Sequence, residues 1–259
     1  MFGTPFQLTE YSNDLNQQAD WDPKIPLLLS LEAMMQLKAT LRKQAKNLDA
    51  NKRIIWKSIE SEEILDVADT ALLLCDVWDS HWCRGAVERL DEMIPRMAQT
   101  VETARSTGVT IIHAPSGTMD RYADTAARQR ILEIPPAEPK EREHEDPPLP
   151  IDASDDGSDT GETETHRAWS SQHAGIRIDD DLDVISDDGL EIYSFLAARE
   201  IGMMLILGVH TNMCVLHRTF GIKQMVRWGI RPILIRDLTD TMYNPGMPHT
   251  SATKMGPIL

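Results

Sequence analysis

A cysteine and an aspartate each follow an apolar segment of this chain, and together they could do nucleophilic chemistry. Asp76 comes directly after Leu72–Cys75, and Cys214 lies in Gly208–Val215, at the end of a second apolar run. In open α/β sheets, ligands bind at the carboxyl ends of the strands. A carboxylate there can take the proton of a thiol, and N–H groups at a helix start can hold an oxyanion. The alternative interpretation of Cys214 is a buried, inert side chain.

Alternating strands and helices must position these residues. The apolar runs predict strands, and the helical periodicity that separates them predicts helices. The predicted strands are 71–75, 109–113, 176–178, 203–209 and 231–237, and the predicted helices are about 87–104, 189–200 and 213–228. Pro95 lies inside the first helical pattern and predicts a break or kink there. Such alternation indicates one mostly parallel sheet with helices on both faces.

Two further regions flank or interrupt this predicted domain, which spans residues 66–259. Within the N-terminal segment 1–65, residues 27–46 carry apolar side chains at helical spacing, which predicts a helical arm. Residues 135–170 form a proline-rich, acidic insertion. The insertion lacks the apolar side chains that would offset the entropy of ordering, so we expect a surface loop or a disordered segment.

Composition excludes several classes of function. Acidic residues outnumber basic ones 41 to 26, and a net charge of −15 argues against nucleic-acid and membrane-surface binding. No apolar run approaches the roughly 18 residues of a membrane span. The three cysteines have no CxxC spacing, so we expect neither a disulfide framework nor a zinc site. The first residues do not match a secretion signal, and we expect a reduced, cytoplasmic setting.

The tracts around Asp76 and Cys214 resemble those of the isochorismatase-like cysteine hydrolases. The resemblance covers about residues 70–241, and the tracts at 113–116, 119–122 and 237–245 are similar to a poorly characterised bacterial branch. It implies a three-layer α/β/α fold in which Cys214 is the nucleophile and Asp76 the general base. It also implies a cis peptide between Val209 and His210, which aims the N–H groups of His210 and Cys214 at the substrate carbonyl.

One residue that the resemblance implies is missing. These hydrolases carry a lysine at the end of the strand before the helix that precedes the cysteine strand. Residues 176–188 contain no lysine, and Arg177 is the candidate for a positive charge there. Without a cation, carboxylates beside Cys214 would raise its pKa. The several aspartates between 179 and 188 could bind a cation, but a solvated turn is the favoured interpretation.

Other side chains near the strand ends are candidates for the pocket or for a metal. We assign Trp78, Trp82 and His113 to the substrate pocket, with core packing as the alternative. Asp79 and His81 resemble part of the metal site of nicotinamidases in this superfamily, but a further histidine at matching spacing is absent. We therefore expect solvated loop residues and no metal or organic cofactor, with a divalent metal as the alternative.

The leading hypothesis is a hydrolase that cleaves the C–N bond of a small amide through a thioester on Cys214. Its expected partner is a small-molecule substrate, and the resemblance also implies a homo-oligomer. One alternative is a vinyl-ether hydrolase. The other is a catalytically impaired paralogue that binds a small metabolite or a partner protein, which the missing lysine and the acidic insertion favour.

Overall fold

The computed structural model describes residues 36–143, 145–146, 149 and 151–247. The chain divides into two compact units, Met1–Ala68 and Asp69–Leu259. Among the described residues, no helix combines the length and the apolar composition that crossing a membrane requires.

The described part of the first unit is a β-hairpin, which corrects the predicted helical arm. Strand β1 (Gln36–Leu48) pairs antiparallel with β2 (Ile54–Asp66). The apolar side chains of β1 alternate with polar ones, which is the period of a strand and not of a helix. Basic residues of β1 meet acidic residues of β2, as in the 2.8 Å ion pair of Lys38 with Glu62. Residues 27–35 of the predicted helix lie outside the described residues.

The second unit is a five-stranded parallel sheet with flanking helices, so the α/β fold class is confirmed. Its strands lie in the order β5-β4-β3-β6-β7. Alternate residues of β3 pack with α3 and α4 in one apolar cluster, and α1 packs against β4 and β7. The elements are β3 (Thr70–Cys75), α1 (Arg84–Ser106), β4 (Thr110–Ala114), α2 (Ala126–Leu132), β5 (Val184–Ile185), α3 (Gly189–Ala198), β6 (Met203–Val209), α4 (Ile222–Arg227) and β7 (Arg231–Asp240).

Three predicted elements differ in detail. Helix α1 continues through Pro95, whose side of the helix is exposed, so that the carbonyl freed by the missing N–H can be hydrated. No strand forms at 176–178, where the backbone turns, and the strand beside β4 is Val184–Ile185. The helix predicted at 213–228 is interrupted before α4 by a tight turn, in which a Cβ on Gly221 would lie 2.9 Å from backbone atoms of Val215 and Arg218.

Gly208 allows β6 to approach β3 where the two strands reach the site. Its φ is +118°, and a Cβ at this position would lie 2.0 Å from the carbonyl oxygen of Cys75. Gly208 is also part of an irregularity in the pairing of β6 with β7. The residue type is therefore required both by the backbone conformation and by the space available.

We expect Gly208→Ala to lower the free energy of unfolding by about 3 kcal/mol or more, because the methyl group meets backbone that cannot rotate away. Denaturant unfolding would measure this. Gly161→Ala is the matched control, since its φ is +88° but no atom lies within 4 Å of the added Cβ. We expect about 1 kcal/mol for the control, and equal losses would contradict the steric explanation.

Candidate active site

A fully buried carboxylate lies at the carboxyl end of β3. Asp76 has no exposed surface, and its φ of +50° is in the left-handed region that aspartate tolerates. Its Oδ1 accepts the backbone N–H of Ser116 at 2.8 Å, and its Oδ2 accepts the Nε–H of Arg218 at 2.9 Å. Burial raises the pKa of Asp76, while Arg218 and these hydrogen bonds oppose the rise.

Cys214 lies on the turn that follows the neighbouring strand β6. Residues Thr211–Val215 form one π-helical turn, which begins directly after His210. The thiol lies close enough to the carboxylate of Asp76 for the charge of Asp76 to act on it. Burial first, and then the charge of Asp76, raise the pKa of Cys214 to about 12. The group is therefore a protonated thiol at neutral pH, held against the base that could deprotonate it.

Side chains within the cysteine turn tie it to the end of β7. The Asn212 amide donates to the carbonyl oxygen of Met242 at 2.9 Å and accepts the N–H of the same residue at 3.2 Å. The Thr211 hydroxyl donates to the carbonyl oxygen of Asp240 at 3.0 Å. These contacts hold the turn in place, and the sequence analysis does not single out either side chain, although both lie in the tract that carries the resemblance.

Arg218 is the cation that the sequence analysis misses. Arg177, the predicted candidate, is exposed and pairs with Glu102 at 3.0 Å and Asp179 at 2.9 Å. Arg218 instead follows Cys214 by four residues, the spacing at which helical side chains are neighbours. That spacing is visible in the sequence and could have identified it. The guanidinium also lies 5.8 Å from the centre of the Trp78 ring.

The predicted pocket tryptophans occupy two different environments. Trp78 is buried and stacks on Trp169 with ring centroids 4.0 Å apart, and both indole N–H groups donate to the carbonyl oxygen of Ser116 at 3.1 Å. Trp82 packs with Met242 in a small apolar cluster. Trp169 belongs to the acidic insertion, which therefore supplies an aromatic side chain next to the site. No local pattern in the sequence predicts this long-range contact.

His113 is a core side chain, which corrects its assignment to the substrate pocket. The ring has no exposed surface. Its Nδ1 lies 2.9 Å from Oε1 of Gln172, and its Nε2 lies 2.9 Å from Oδ2 of Asp183. Asp183 also accepts the Nε–H of the buried Arg105 at 2.9 Å. Both ring nitrogens are thus engaged in a buried polar network, and neither is available to a substrate.

The two weak metal candidates are engaged by protein groups. The Asp79 carboxylate accepts the backbone N–H and hydroxyl of Ser170 at 2.8 Å and 2.6 Å. His81 Nδ1 accepts the backbone N–H of Cys83 at 3.1 Å, and burial lowers the pKa of His81 to about 4. Within the described part of the chain, no three His, Cys, Asp or Glu side chains are grouped so that they could hold a metal ion.

His210 differs from these residues because one of its ring nitrogens has no hydrogen-bond partner in the described chain. The side chain is 2% exposed, and its Nε2 lies 3.8 Å from Oδ2 of Asp240. Burial lowers the pKa of His210 to about 3, so the ring is neutral. The peptide bond between Val209 and His210 is cis.

Comparisons with known proteins give little beyond this geometry. No protein-family model matches the chain, and no curated protein matches it significantly. Among solved structures, the chain is similar to a cysteine hydrolase from Pseudomonas syringae pv. phaseolicola 1448A, with 17% sequence identity and a TM-score of 0.45. The similarity covers 73% of this chain and 81% of that chain. At this level it carries no argument about the chemistry, which we argue below from the side chains.

The network around Asp183 predicts an acid-sensitive contribution to stability. Burial alone would raise the pKa of Asp183, but the hydrogen bonds from His113 and Arg105 bring it to about 2. Because the folded-state pKa lies below the ordinary value, the stabilisation is present above about pH 5 and is lost as the pH falls towards 2. We expect this loss to be about 2 kcal/mol.

Asp183→Asn tests this expectation by urea unfolding at several pH values. At neutral pH the variant should be less stable by about 3 kcal/mol, because Arg105 loses its buried partner. The difference from the wild type should then shrink by about 2 kcal/mol as the pH falls to 2. Asp237→Asn, which alters an exposed ion pair with Arg96, is the control. A difference that does not change with pH would refute the assignment.

Proposed function

We propose that this protein is a cysteine hydrolase that cleaves the C–N bond of a small amide through a thioester on Cys214. The observation that carries the proposal is the position of Cys214 beside the buried carboxylate of Asp76, whose charge acts on the thiol. The two residues follow adjacent parallel strands, β6 and β3, in which Cys75 pairs with Gly208. A nucleophile beside a positioned base at this edge of the sheet is the arrangement that acyl transfer needs.

The protonated thiol defines the order of the proposed steps. When a carbonyl carbon approaches the sulfur, Asp76 takes the thiol proton as the S–C bond forms. The N–H of His210, at the start of the turn that carries Cys214, is the donor that we assign to the developing oxyanion. Asp76 then gives its proton to the departing nitrogen, and a thioester remains on Cys214.

Hydrolysis of the thioester restores the starting state. A water molecule gives a proton to Asp76 while its oxygen attacks the thioester carbonyl, and the carboxylic acid leaves as the thiol is re-formed. One amide and one water thus give one acid and one amine or ammonia. The proposed steps need no cofactor. The cytoplasmic location and the homo-oligomer stay predictions.

Arg218 weakens one of the two arguments for a catalytically impaired paralogue, namely the missing lysine. The missing lysine favours that alternative because a site of carboxylates alone would leave the thiol without a cation. Arg218 supplies a positive charge in contact with Asp76, from a position that the family pattern does not indicate. The site therefore contains a positive charge beside the base, as the proposed chemistry requires.

A panel of small primary and N-substituted amides tests the proposal, with release of ammonia or amine as the readout. We expect wild-type protein to turn over at least one amide and, after acid quenching, to carry an acyl group on the Cys214 peptide in mass spectrometry. Cys214→Ala should do neither, whereas Cys83→Ala, which alters another buried cysteine, should keep turnover. Failure of every amide, or amide turnover retained in Cys214→Ala, would reject the proposal.

Asp76→Asn should change thiol reactivity and turnover in opposite directions. Because the Asp76 charge raises the pKa of Cys214, its removal should speed alkylation of Cys214 by iodoacetamide at about pH 8 by roughly tenfold. Turnover should fall by at least about a hundredfold, because the base is lost. Peptide mass spectrometry locates the alkylated cysteine, and Asp79→Asn is the control. Slower alkylation in Asp76→Asn would contradict the assigned interaction.

A further inference from the structure

The charge of Asp76 depends on few neighbours. In the described part of the chain, the ionisable groups that interact with this carboxylate are Arg218, Cys214 and Cys75. Burial raises the pKa of Cys75 well above its usual value, and the pKa of Cys214 is about 12, so both thiols are neutral. Arg218 is therefore the positive charge among these three groups. An ionised carboxylate without exposed surface is costly unless it is paired and hydrogen-bonded.

The hydrogen bonds of Asp76 leave lone-pair sites on its carboxylate for the thiol. The Ser116 N–H occupies Oδ1 and the Arg218 Nε–H occupies Oδ2, so that each oxygen accepts one donor from a different element. A carboxylate has about four lone-pair sites, and the remaining ones can accept the thiol of Cys214. The two donors thereby determine both the orientation and the charge of the base.

Arg218 reaches this position from the same segment as the nucleophile. It follows the π-helical turn that carries Cys214, and the tight turn at Gly221 ends this segment before α4 begins. The side chain is 36% exposed, whereas its partner carboxylate is fully buried. A guanidinium in this setting keeps its charge at any ordinary pH, and its planar face can rest on Trp78.

We propose that Arg218 is the positioning cation of this site, which holds the buried Asp76 as an ionised carboxylate oriented towards the Cys214 thiol. This inference rests on the proposed function, because it assigns a role to Asp76 as the base. Arg218 acts through its charge, on Asp76 and on the thiol beside it, and does not itself take part in bond making or breaking. It replaces, from a position one helical turn after the nucleophile, the lysine that residues 176–188 lack.

Alkylation of Cys214 by iodoacetamide tests the proposal without any substrate. The rate would be measured between about pH 6 and pH 10 in wild type, Arg218→Gln, Arg218→Lys and Arg227→Gln, with peptide mass spectrometry to locate the modified cysteine. Arg227 is the matched control, because it is also 36% exposed and pairs with a carboxylate, but that carboxylate, Asp146, is itself exposed. Thermal melting of each variant checks that it is folded.

At about pH 9, where we expect Asp76 to be ionised in every variant, Arg218→Gln should slow alkylation of Cys214 by about tenfold, because the thiol pKa rises when the cation is lost. Arg218→Lys keeps the charge and should stay within about threefold of wild type. Arg227→Gln should not differ from wild type. If Arg218→Gln alkylates like Arg227→Gln, or if the lysine and glutamine variants are equally slow, the proposal is wrong, because charge is then not what Arg218 supplies.

A second measurement uses the wild type and so does not depend on the folding of Arg218→Gln. Infrared difference spectra between wild type and Asp76→Asn assign the carboxyl band of Asp76. We expect an ionised carboxylate at neutral pH, and a protonated carboxyl band there would overturn the proposal.

Once an amide substrate is known, the pH profile of kcat/KM gives a further test. The midpoint of its acid limb should move up by about one pH unit in Arg218→Gln and by less in Arg218→Lys.

These results separate the two proposals. If turnover survives Cys214→Ala, the hydrolase proposal fails, whereas the alkylation and infrared results still decide whether Arg218 keeps Asp76 ionised. If Arg218→Gln does not change the alkylation of Cys214, the positioning role fails, whereas loss of turnover in Cys214→Ala still supports the hydrolase.

Discussion

Burial of the Asp76 carboxylate is the constraint on which the rest of the second unit depends. Removing a carboxylate from water costs several kcal/mol unless charge and hydrogen bonds compensate it. The compensation comes from three groups on two segments: the loop after β4 brings the N–H of Ser116, and the segment after β6 brings the thiol of Cys214 and the guanidinium of Arg218. The ends of β4 and β6 must therefore lie next to the end of β3 for this carboxylate to be buried.

The same requirement explains several residues with no chemistry of their own. Gly208 lets β6 lie close to β3, so that the turn after it reaches Asp76. Asn212 fastens that turn to the end of β7 through two hydrogen bonds. Both features reduce the freedom of the cysteine turn and keep the thiol beside the buried base, as proton transfer between them requires.

Local patterns were enough to predict much of this arrangement. The continuous apolar runs of buried parallel strands indicate β3, β4, β6 and β7, and with them the edge at which Asp76 and Cys214 meet. The hairpin was mistaken for a helix because the apolar residues between 27 and 46 also fit helical spacing. The strand interpretation becomes clear only when the acidic residues of β2 are considered together with the basic residues of β1, as in the pair of Glu62 with Lys38.

Side-chain partners from distant parts of the chain could not be predicted in this way. His113 ends a strand, which suggested a pocket, but Asp183 and Gln172 enclose its ring. Trp169 reaches Trp78 from an acidic insertion whose composition indicates only a surface loop. Such contacts depend on how loops fold over the sheet, which neither period nor composition encodes.

The position of Arg218 has a consequence for how such a site can diverge. Nucleophile and cation lie on one short segment, so their separation is determined by local helical geometry and not by the packing of two strands. A shift of β6 against β3 would therefore move both groups together relative to Asp76. Divergence of the sheet can then change how the base meets the nucleophile while the spacing between nucleophile and cation stays the same.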